Sequence, residues 1–277
     1  MTLYRKDVIT ENSEHHCSFS VKKLSLWKAV ACEFFGSFML VFIGSLPLLC
    51  DNNWIVSGVC FAGVLVTLIH IIGPTSGCNV SPAVTLAFVA VRRLHPIKGC
   101  LYFIAQMLGA IAGAGYLYLA APSDWTKKYQ LGLTSFDPEE VNWVQAVQIE
   151  SAATLLLVLL MLVISDPDEN REFEGFPALS SGLALISCFY AAYPYTGASL
   201  NPARSFGPAL LTLNFKQQWV YWIGPLTGSL LGVVIYKMLL VKGVPRCSSK
   251  ERSVSLGGES EDPNVEEQQP RRIRPEA

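Results

Sequence analysis

The feature that most restricts how this chain can fold is a series of six long apolar runs. A helix that crosses the hydrocarbon core of a membrane needs about 20 mostly apolar residues, and each run is of about that length. The second, third and fifth runs contain no Asp, Glu, Lys or Arg. Because a helix in water needs a polar face, these segments predict an all-α membrane protein with six transmembrane helices. The runs are Trp27–Leu49, Trp54–Ile72, Leu101–Ala121, Trp143–Ile164, Phe176–Tyr195 and Trp219–Leu240.

Composition narrows the function classes. Hydrophobic residues make up 51% of the 277 residues and charged residues 16%, whereas soluble domains average about 25% charged. The net charge of -1 offers no basic surface for nucleic acid. The eight cysteines are scattered, with no C-x-x-C pair and no His at metal-ligand spacing, so we expect neither a metal site nor a cofactor. No nucleophile–base pair is placed for catalysis, so an enzyme is not expected.

The distribution of Lys and Arg predicts the orientation. Short loops on the cytosolic side of membrane proteins are enriched in these residues. Here they concentrate in the two terminal flanks and between the second and third runs, as Lys22, Lys23, Lys28, Arg92, Arg93, Lys98, Lys242 and Arg246. This pattern predicts a multi-pass protein of the cell membrane with both termini in the cytosol. We expect a membrane domain at 26–242 between cytosolic tails at 1–25 and 243–277, the second polar enough to be disordered.

Two shorter apolar segments, Pro82–Val91 and Pro202–Leu211, follow turn-rich stretches that read "GCNVSPAVT" and "GASLNPARS". Each segment has about ten residues, too few to cross a membrane. Each begins with Pro, which favours the first turn of a helix. The residue before it, Ser81 or Asn201, is of a type that favours the N-cap. We therefore predict two re-entrant half-helices. Their non-helical entry loops require a surrounding of protein or a watery cavity.

The chain has the form of an internal duplication. Each half contains three apolar runs, with a half-helix between its second and third run, and Glu33 and Glu150 occupy matching positions in the first run of each half. An odd number of spans places the two halves in opposite orientations, which predicts inverted three-span repeats with a site at the midplane. A Glu within a span faces the protein interior or a water path. We expect both carboxylates to accept backbone N–H donors from the re-entrant loops.

These features together resemble the aquaporin (major intrinsic protein) family. The resemblance is carried by "SGCNVSPAVTLA", by "TGASLNPARSFGPAL", by the paired Glu residues and by the two three-span halves, and it covers roughly 26–242. It implies an aquaporin fold of six tilted helices plus two half-helices. It also implies a homotetramer in the lipid bilayer, with one pore in each subunit.

The resemblance identifies the two signature motifs of the pore. They comprise Ser81, Pro82, Ala83, Asn201, Pro202 and Ala203. Family members usually carry Asn at both caps, so the first motif is a Ser variant. Two half-helices that meet at their N-termini concentrate positive dipole charge at the pore centre, which excludes protons and cations. The Ser81 hydroxyl can cap its helix and still donate one hydrogen bond, but it is shorter than Asn.

The resemblance also implies a narrow selectivity filter. Its four positions are Phe61, Phe189, Ala198 and Arg204. Water-specific members carry His where this chain has Phe189, so the filter stays narrow but becomes more apolar. Several other positions match the water type rather than the glycerol type, namely Ser205, Ala209, Tyr221 and Trp222.

We therefore expect a passive water channel that excludes protons and ions. A facilitator of glycerol, urea, peroxide or another small uncharged solute is the alternative, and Phe189 and Ser81 keep it open. A junctional or signalling membrane protein with little transport is a third possibility. The complete segment from Asn201 to Arg204 and the paired Glu residues argue against it.

Overall fold

The computed structural model describes residues 23–50, 53–166 and 176–240. The two tails expected from the sequence therefore lie almost entirely outside the described residues. In chain order, the α-helices of the described part are α1 (Lys23–Ser45), α2 (Trp54–Ile71), α3 (Gly73–Ser76), α4 (Pro82–Ala90), α5 (Pro96–Ala120), α6 (Ser123–Lys128), α7 (Trp143–Ile164), α8 (Pro177–Thr196), α9 (Pro202–Thr212) and α10 (Val220–Ile235).

Six long helices and the two half-helices α4 and α9 confirm the predicted fold class. Five of the long helices, α1, α2, α5, α7 and α10, are long and apolar enough, with their flanking turns, to cross a membrane. The sixth, α8, has 20 residues but is less apolar, because Ser, Tyr and Pro are spread along it. It packs between α2 and α7.

Several helix ends differ from the apolar runs for local reasons. α1 stops at Ser45, and a 3₁₀ turn over Leu46–Leu49 with Pro at its start completes the first run. α5 begins five residues before its run, at Pro96, because the His95 side chain accepts the Ile97 N–H at 3.3 Å. The last run is divided into α10 and a π-helical turn over Tyr236–Leu240.

The inverted repeat is visible in the helix packing. In the first half α1 packs against α5, and in the second half α7 packs against α10. A Gly lies at the closest approach of each pair, where Gly109 faces the backbone carbonyl of Phe34 and Gly228 faces that of Ser151. Phe34 and Ser151 each follow one of the paired Glu residues directly. Each half therefore contains the same close helix approach, in each case next to its own buried Glu residue.

A polar cluster at one end of the bundle ties the two halves together. Arg93, in the turn after α4, forms an ion pair of 3.2 Å with Asp166 after α7. Its guanidinium also donates to the backbone carbonyl of Leu162 at 2.7 Å and to the hydroxyl of Tyr236. The Tyr236 hydroxyl in turn donates to Asp166 at 2.5 Å. The end of the first half-helix is thus fixed to two helices of the second half.

Candidate pore

The two re-entrant loops have matching, strained backbones. Each begins with a glycine in the left-handed region, Gly77 with φ of 95° and Gly197 with φ of 74°. Two further residues of each loop also have positive φ, namely Cys78 (53°), Val80 (44°), Ala198 (50°) and Leu200 (52°). Non-glycine residues adopt this conformation at a cost of about 1–3 kcal/mol each. Both loops therefore need strong contacts from the rest of the protein.

The two buried Glu carboxylates make those contacts. Glu33 accepts the Asn79 N–H at 3.0 Å and the Val80 N–H at 2.8 Å. Glu150 accepts the N–H groups of the corresponding pair, Ser199 and Leu200, each at 2.8 Å. Each Glu side chain thus accepts two backbone N–H groups that would otherwise be unpaired inside the protein, which offsets part of the cost of the strained backbone.

A buried tyrosine donates one further hydrogen bond to the helix end from which each loop leaves. The Tyr102 hydroxyl of α5 donates to the Ser76 carbonyl at 2.7 Å, and the Tyr221 hydroxyl of α10 donates to the Thr196 carbonyl at 2.8 Å. Both tyrosines have no exposed surface. They lie at equivalent points of the repeat, so each loop is fixed by its own half of the chain.

The loops and half-helices border a narrow cavity of about 40 Å³. Its lining is mostly apolar, with polar atoms near the loops and at one end. Of the positions expected from the sequence, the lining includes Ser81 and Asn201 from the two caps and all four filter residues, Phe61, Phe189, Ala198 and Arg204. Pro82, Ala83, Pro202 and Ala203 form the first turns of the half-helices and are buried behind the caps. Glu33 and Glu150 lie outside the lining, on the far side of the loops.

The two half-helix caps meet at the middle of this cavity. The Ser81 hydroxyl accepts the Ala83 N–H at 3.2 Å, and the Asn201 side-chain oxygen accepts the Ala203 N–H at 3.0 Å. Asn201 also donates from Nδ2 to the Val80 carbonyl of the opposite loop at 2.9 Å. An amide nitrogen carries two hydrogens, so one N–H of Asn201 remains for another acceptor.

Arg204 lies at one end of the cavity with only 2% of its surface exposed. Nη1 donates to the Gly132 carbonyl at 2.8 Å, and the guanidinium carbon lies 5.3 Å from the centre of the Phe61 ring. Nε and Nη2 are buried and have no hydrogen-bond partner within the part of the chain that the structure describes. An unpaired buried donor costs about 1–3 kcal/mol, so this site favours an acceptor that enters from the cavity.

Phe189 is held in place by a row of aromatic rings. Its ring packs against that of Phe61 with the ring centres 5.5 Å apart, and it stacks on Tyr193 at 5.2 Å. Tyr193 stacks on Trp54 at 5.3 Å with planes 7° apart, and Tyr190 packs edge-on against the same Trp54. Such ring pairs add about 0.5–1.5 kcal/mol each beyond their buried area. Phe189 therefore forms a fixed wall of the cavity.

Three residues that support the cavity were not identified from the sequence. Gly132, in the 3₁₀ turn after α6, supplies the carbonyl that orients Arg204. Thr134 donates to Ser205 at 2.7 Å, next to Arg204 in α9. Gln106 of α5 donates to Glu33 at 2.8 Å, next to the backbone N–H groups that this carboxylate accepts. The first two lie in a connecting loop without a repeat partner, so the sequence carried no signal for them.

The chemistry of the remaining side chains is limited. Within residues 23–50, 53–166 and 176–240, no three His, Cys, Asp or Glu residues are close enough together to hold a metal ion. The six cysteines of these segments are free thiols.

Comparison with known proteins agrees with this architecture. The family model described as Major intrinsic protein matches residues 20–236. Lens fiber major intrinsic protein of Lithobates pipiens is 36% identical over 251 residues, which is 89% of this chain and 94% of that protein. The Bos taurus protein of the same name is 36% identical over 245 residues, which is 86% of this chain and 89% of that protein.

A solved structure shares the fold. The X-ray structure of the aquaglyceroporin from Plasmodium falciparum superimposes with a TM-score of 0.67 and covers 77% of this chain and 96% of that chain. Its sequence identity is 23%, so the likeness concerns the fold alone. From the family match and the relatives, this chain belongs to the major intrinsic protein family, whose members are membrane channels rather than enzymes.

Proposed function

We propose that this channel conducts water passively and excludes protons and ions. The observation that carries the proposal is the position of Arg204, buried in the lining of the cavity with two donor nitrogens that have no partner among the described residues. Water that passes can accept hydrogen bonds from these donors and so replace part of its lost hydration. A cation at the same place meets a positive charge at low dielectric, where repulsion is strong.

Proton exclusion is proposed to arise at the middle of the cavity. The N-termini of α4 and α9 meet there, and each carries about half a positive charge from its helix dipole. The remaining N–H of Asn201 and the O–H of Ser81 can both donate to one water oxygen. A water held by donors on both sides cannot pass a proton along a continuous chain.

The proposal assigns supporting roles to the other residues singled out by the sequence. Glu33 and Glu150 hold the re-entrant loops and do not contact the permeating molecule. Pro82, Ala83, Pro202 and Ala203 start the half-helices. Phe61, Phe189 and Ala198 complete the filter around Arg204. We further propose a homotetramer of the cell membrane, with both termini in the cytosol and the channel domain at 26–242.

A second candidate is a facilitator of glycerol, urea or another small uncharged solute. The observation that favours it is the pair of packed Phe rings, with centres 5.5 Å apart, that line the cavity together with the small Ala198. Apolar rings suit the carbon face of a polyol, while Arg204 suits its hydroxyls. Water-type residues at Ser205, Ala209 and Tyr221 support the first candidate.

Reconstituted vesicles separate the two candidates. Liposomes that contain the purified protein should shrink faster in hyperosmotic sucrose than protein-free liposomes. A pH-sensitive dye and a potential-sensitive dye should report no added proton or ion leak. Parallel gradients of glycerol and urea measure solute entry. Glycerol entry with little osmotic water flow would overturn the water assignment in favour of the second candidate.

Two neighbouring leucines of α7 provide a matched control. Leu157 lines the cavity, whereas Leu156 points away from it and is 52% exposed. Leu157→Trp should block most of the water flow because the indole fills the cavity. Leu156→Trp should leave the flow unchanged. Equal water flow in the two variants would show that the conducting path lies elsewhere.

A further inference from the structure

The Phe61 ring, which lines the cavity, rests against a glycine of α1. A Cβ built on Gly44 would lie 2.3 Å from Cδ1, 2.4 Å from Cε1 and 2.7 Å from Cγ of this ring. Gly44 is buried and does not line the cavity itself. The ring therefore stands between Gly44 and the cavity, in a place that a side chain at position 44 would occupy.

α1 is held at this point by α2 and α5. The Ser57 hydroxyl of α2 donates to the Gly44 carbonyl at 2.5 Å, which fixes α1 to the helix that carries Phe61. α1 also packs closely on α5, where a Cβ on Gly113 would lie 2.5 Å from the Phe38 carbonyl oxygen. Close-packed backbones of this kind leave little room for adjustment, so a side chain added at position 44 has to displace the ring.

The cavity is the open space into which the ring can move. Elsewhere the Phe61 ring is covered, since 4% of the residue is exposed and its ring packs against that of Phe189 with the centres 5.5 Å apart. Phe189 is braced in turn by the Tyr193 ring at 5.2 Å. Non-bonded carbon atoms lie about 3.5 Å apart, so a methyl group on Gly44 would move the Phe61 ring by about 1.2 Å.

We propose that Gly44 is a positioning residue for the filter, because its missing side chain lets the Phe61 ring stand back from the cavity and so sets the width available to uncharged molecules. The inference rests on the proposed function, in which Phe61 belongs to the filter, and adds a residue that does not itself contact the permeating molecule. Urea and glycerol are wider than water, so their passage depends more on this width. A side chain at position 44 should therefore favour water over both solutes, with all four filter residues unchanged.

The test is a double-mutant cycle at Gly44 and Phe61 in reconstituted vesicles, with permeability per inserted protein measured for water, urea and glycerol. Gly44→Ala should lower the permeability of the largest molecule that the unmodified protein admits by about tenfold, which corresponds to about 1.4 kcal/mol, and that of smaller molecules by less. In the Phe61→Ala background, the three ring atoms that the new methyl group would meet are absent. Gly44→Ala should there alter each permeability by less than about twofold, the usual scatter of such cycles.

Gly63→Ala is the matched control. It adds a methyl group to α2, two residues after Phe61, where no heavy atom from elsewhere in the described part of the chain lies within 4 Å, and it should leave every permeability unchanged. If Gly44→Ala does not fold, the double variant should still fold and conduct like Phe61→Ala, because the clash is removed. A double variant that also fails to fold would overturn the inference.

Two further results would overturn it. They are unchanged permeabilities in Gly44→Ala, or an equal effect of Gly44→Ala with and without the Phe61 ring. A purely structural role of Gly44 would give the second result, since destabilisation of α1 does not depend on one filter side chain. An unmodified protein that admits none of the three molecules would instead refute the proposed function.

Discussion

The contact between α7 and α10 yields a quantitative prediction for Gly228→Ala. A Cβ built at this position would lie 2.1 Å from the carbonyl oxygen of Ser151. Carbon and oxygen atoms in close contact lie about 3.3 Å apart. One of the two helices must therefore shift by about 1.2 Å. Overpacking of this kind typically costs about 1–3 kcal/mol.

Either direction of the shift affects the pore. If α7 moves, the Glu150 side chain moves with it, and its 2.8 Å bond to the Leu200 N–H lengthens to about 4.0 Å, beyond the normal range. If α10 moves instead, Ser229 draws away from the Ala83 carbonyl, to which it donates at 2.6 Å. We therefore expect Gly228→Ala to lower both the thermal unfolding midpoint and the water permeability per inserted protein.

Gly63→Ala is the control for this prediction. An added Cβ at Gly63 meets no heavy atom within 4 Å, and Ala favours a helix over Gly by about 1 kcal/mol. Its unfolding midpoint should be unchanged or raised. The midpoints are measured by intrinsic fluorescence in one detergent, and permeability by stopped-flow light scattering of vesicles. If Gly228→Ala unfolds and conducts like Gly63→Ala, the close approach of α7 and α10 contributes nothing to stability or to the pore.

Three further results are expected. Phe189→His should retain water flow and lower glycerol and urea entry relative to water, because a polar ring replaces an apolar one; unchanged solute ratios in vesicles would remove Phe189 from the filter. Arg204→Val should admit protons or cations, because it removes the buried positive charge. A pH-sensitive dye inside the vesicles would detect the proton leak. A leak no larger than that of the unmodified protein would contradict a role of Arg204 in excluding cations. Glu33→Gln should reduce the free energy of unfolding by about 1–3 kcal/mol. The N–H groups of Asn79 and Val80 bind different carboxylate oxygens, and the NH2 group that replaces one of these oxygens cannot accept a hydrogen bond. Denaturation curves that coincide with those of the unmodified protein would rule this out.

Much of the fold could be predicted from local patterns. The apolar runs specify spans because a membrane helix must satisfy every backbone group internally. The half-helices could be placed because Ser81 and Asn201 are N-cap residues followed by Pro, which is a local signal. The predicted helix ends were less accurate where a side chain outside the apolar run caps the helix, as His95 does at the start of α5. The buried positions of Glu33 and Glu150 were suggested by recurrence rather than by their surroundings.

The contacts that define the candidate pore depend on how the helices pack. No local sequence pattern predicts that Glu33 binds the Val80 N–H, that Arg204 binds the Gly132 carbonyl or that Asn201 binds the Val80 carbonyl. These pairs are far apart in sequence, and their distances follow from the rotation and close approach of helices around glycines such as Gly109.

The sequence alone therefore establishes a membrane protein with six spans, two capped half-helices and an inverted repeat, because each depends on residue type and short-range periodicity. The sequence already distinguishes the two caps as Ser81 and Asn201. Only the tertiary structure shows that Asn201 donates to the Val80 carbonyl of the opposite loop, whereas no residue of the described part donates to the Leu200 carbonyl. The physical reason is that hydrogen-bond partners across a pore are chosen by side-chain reach and helix position, which no single segment of the chain encodes.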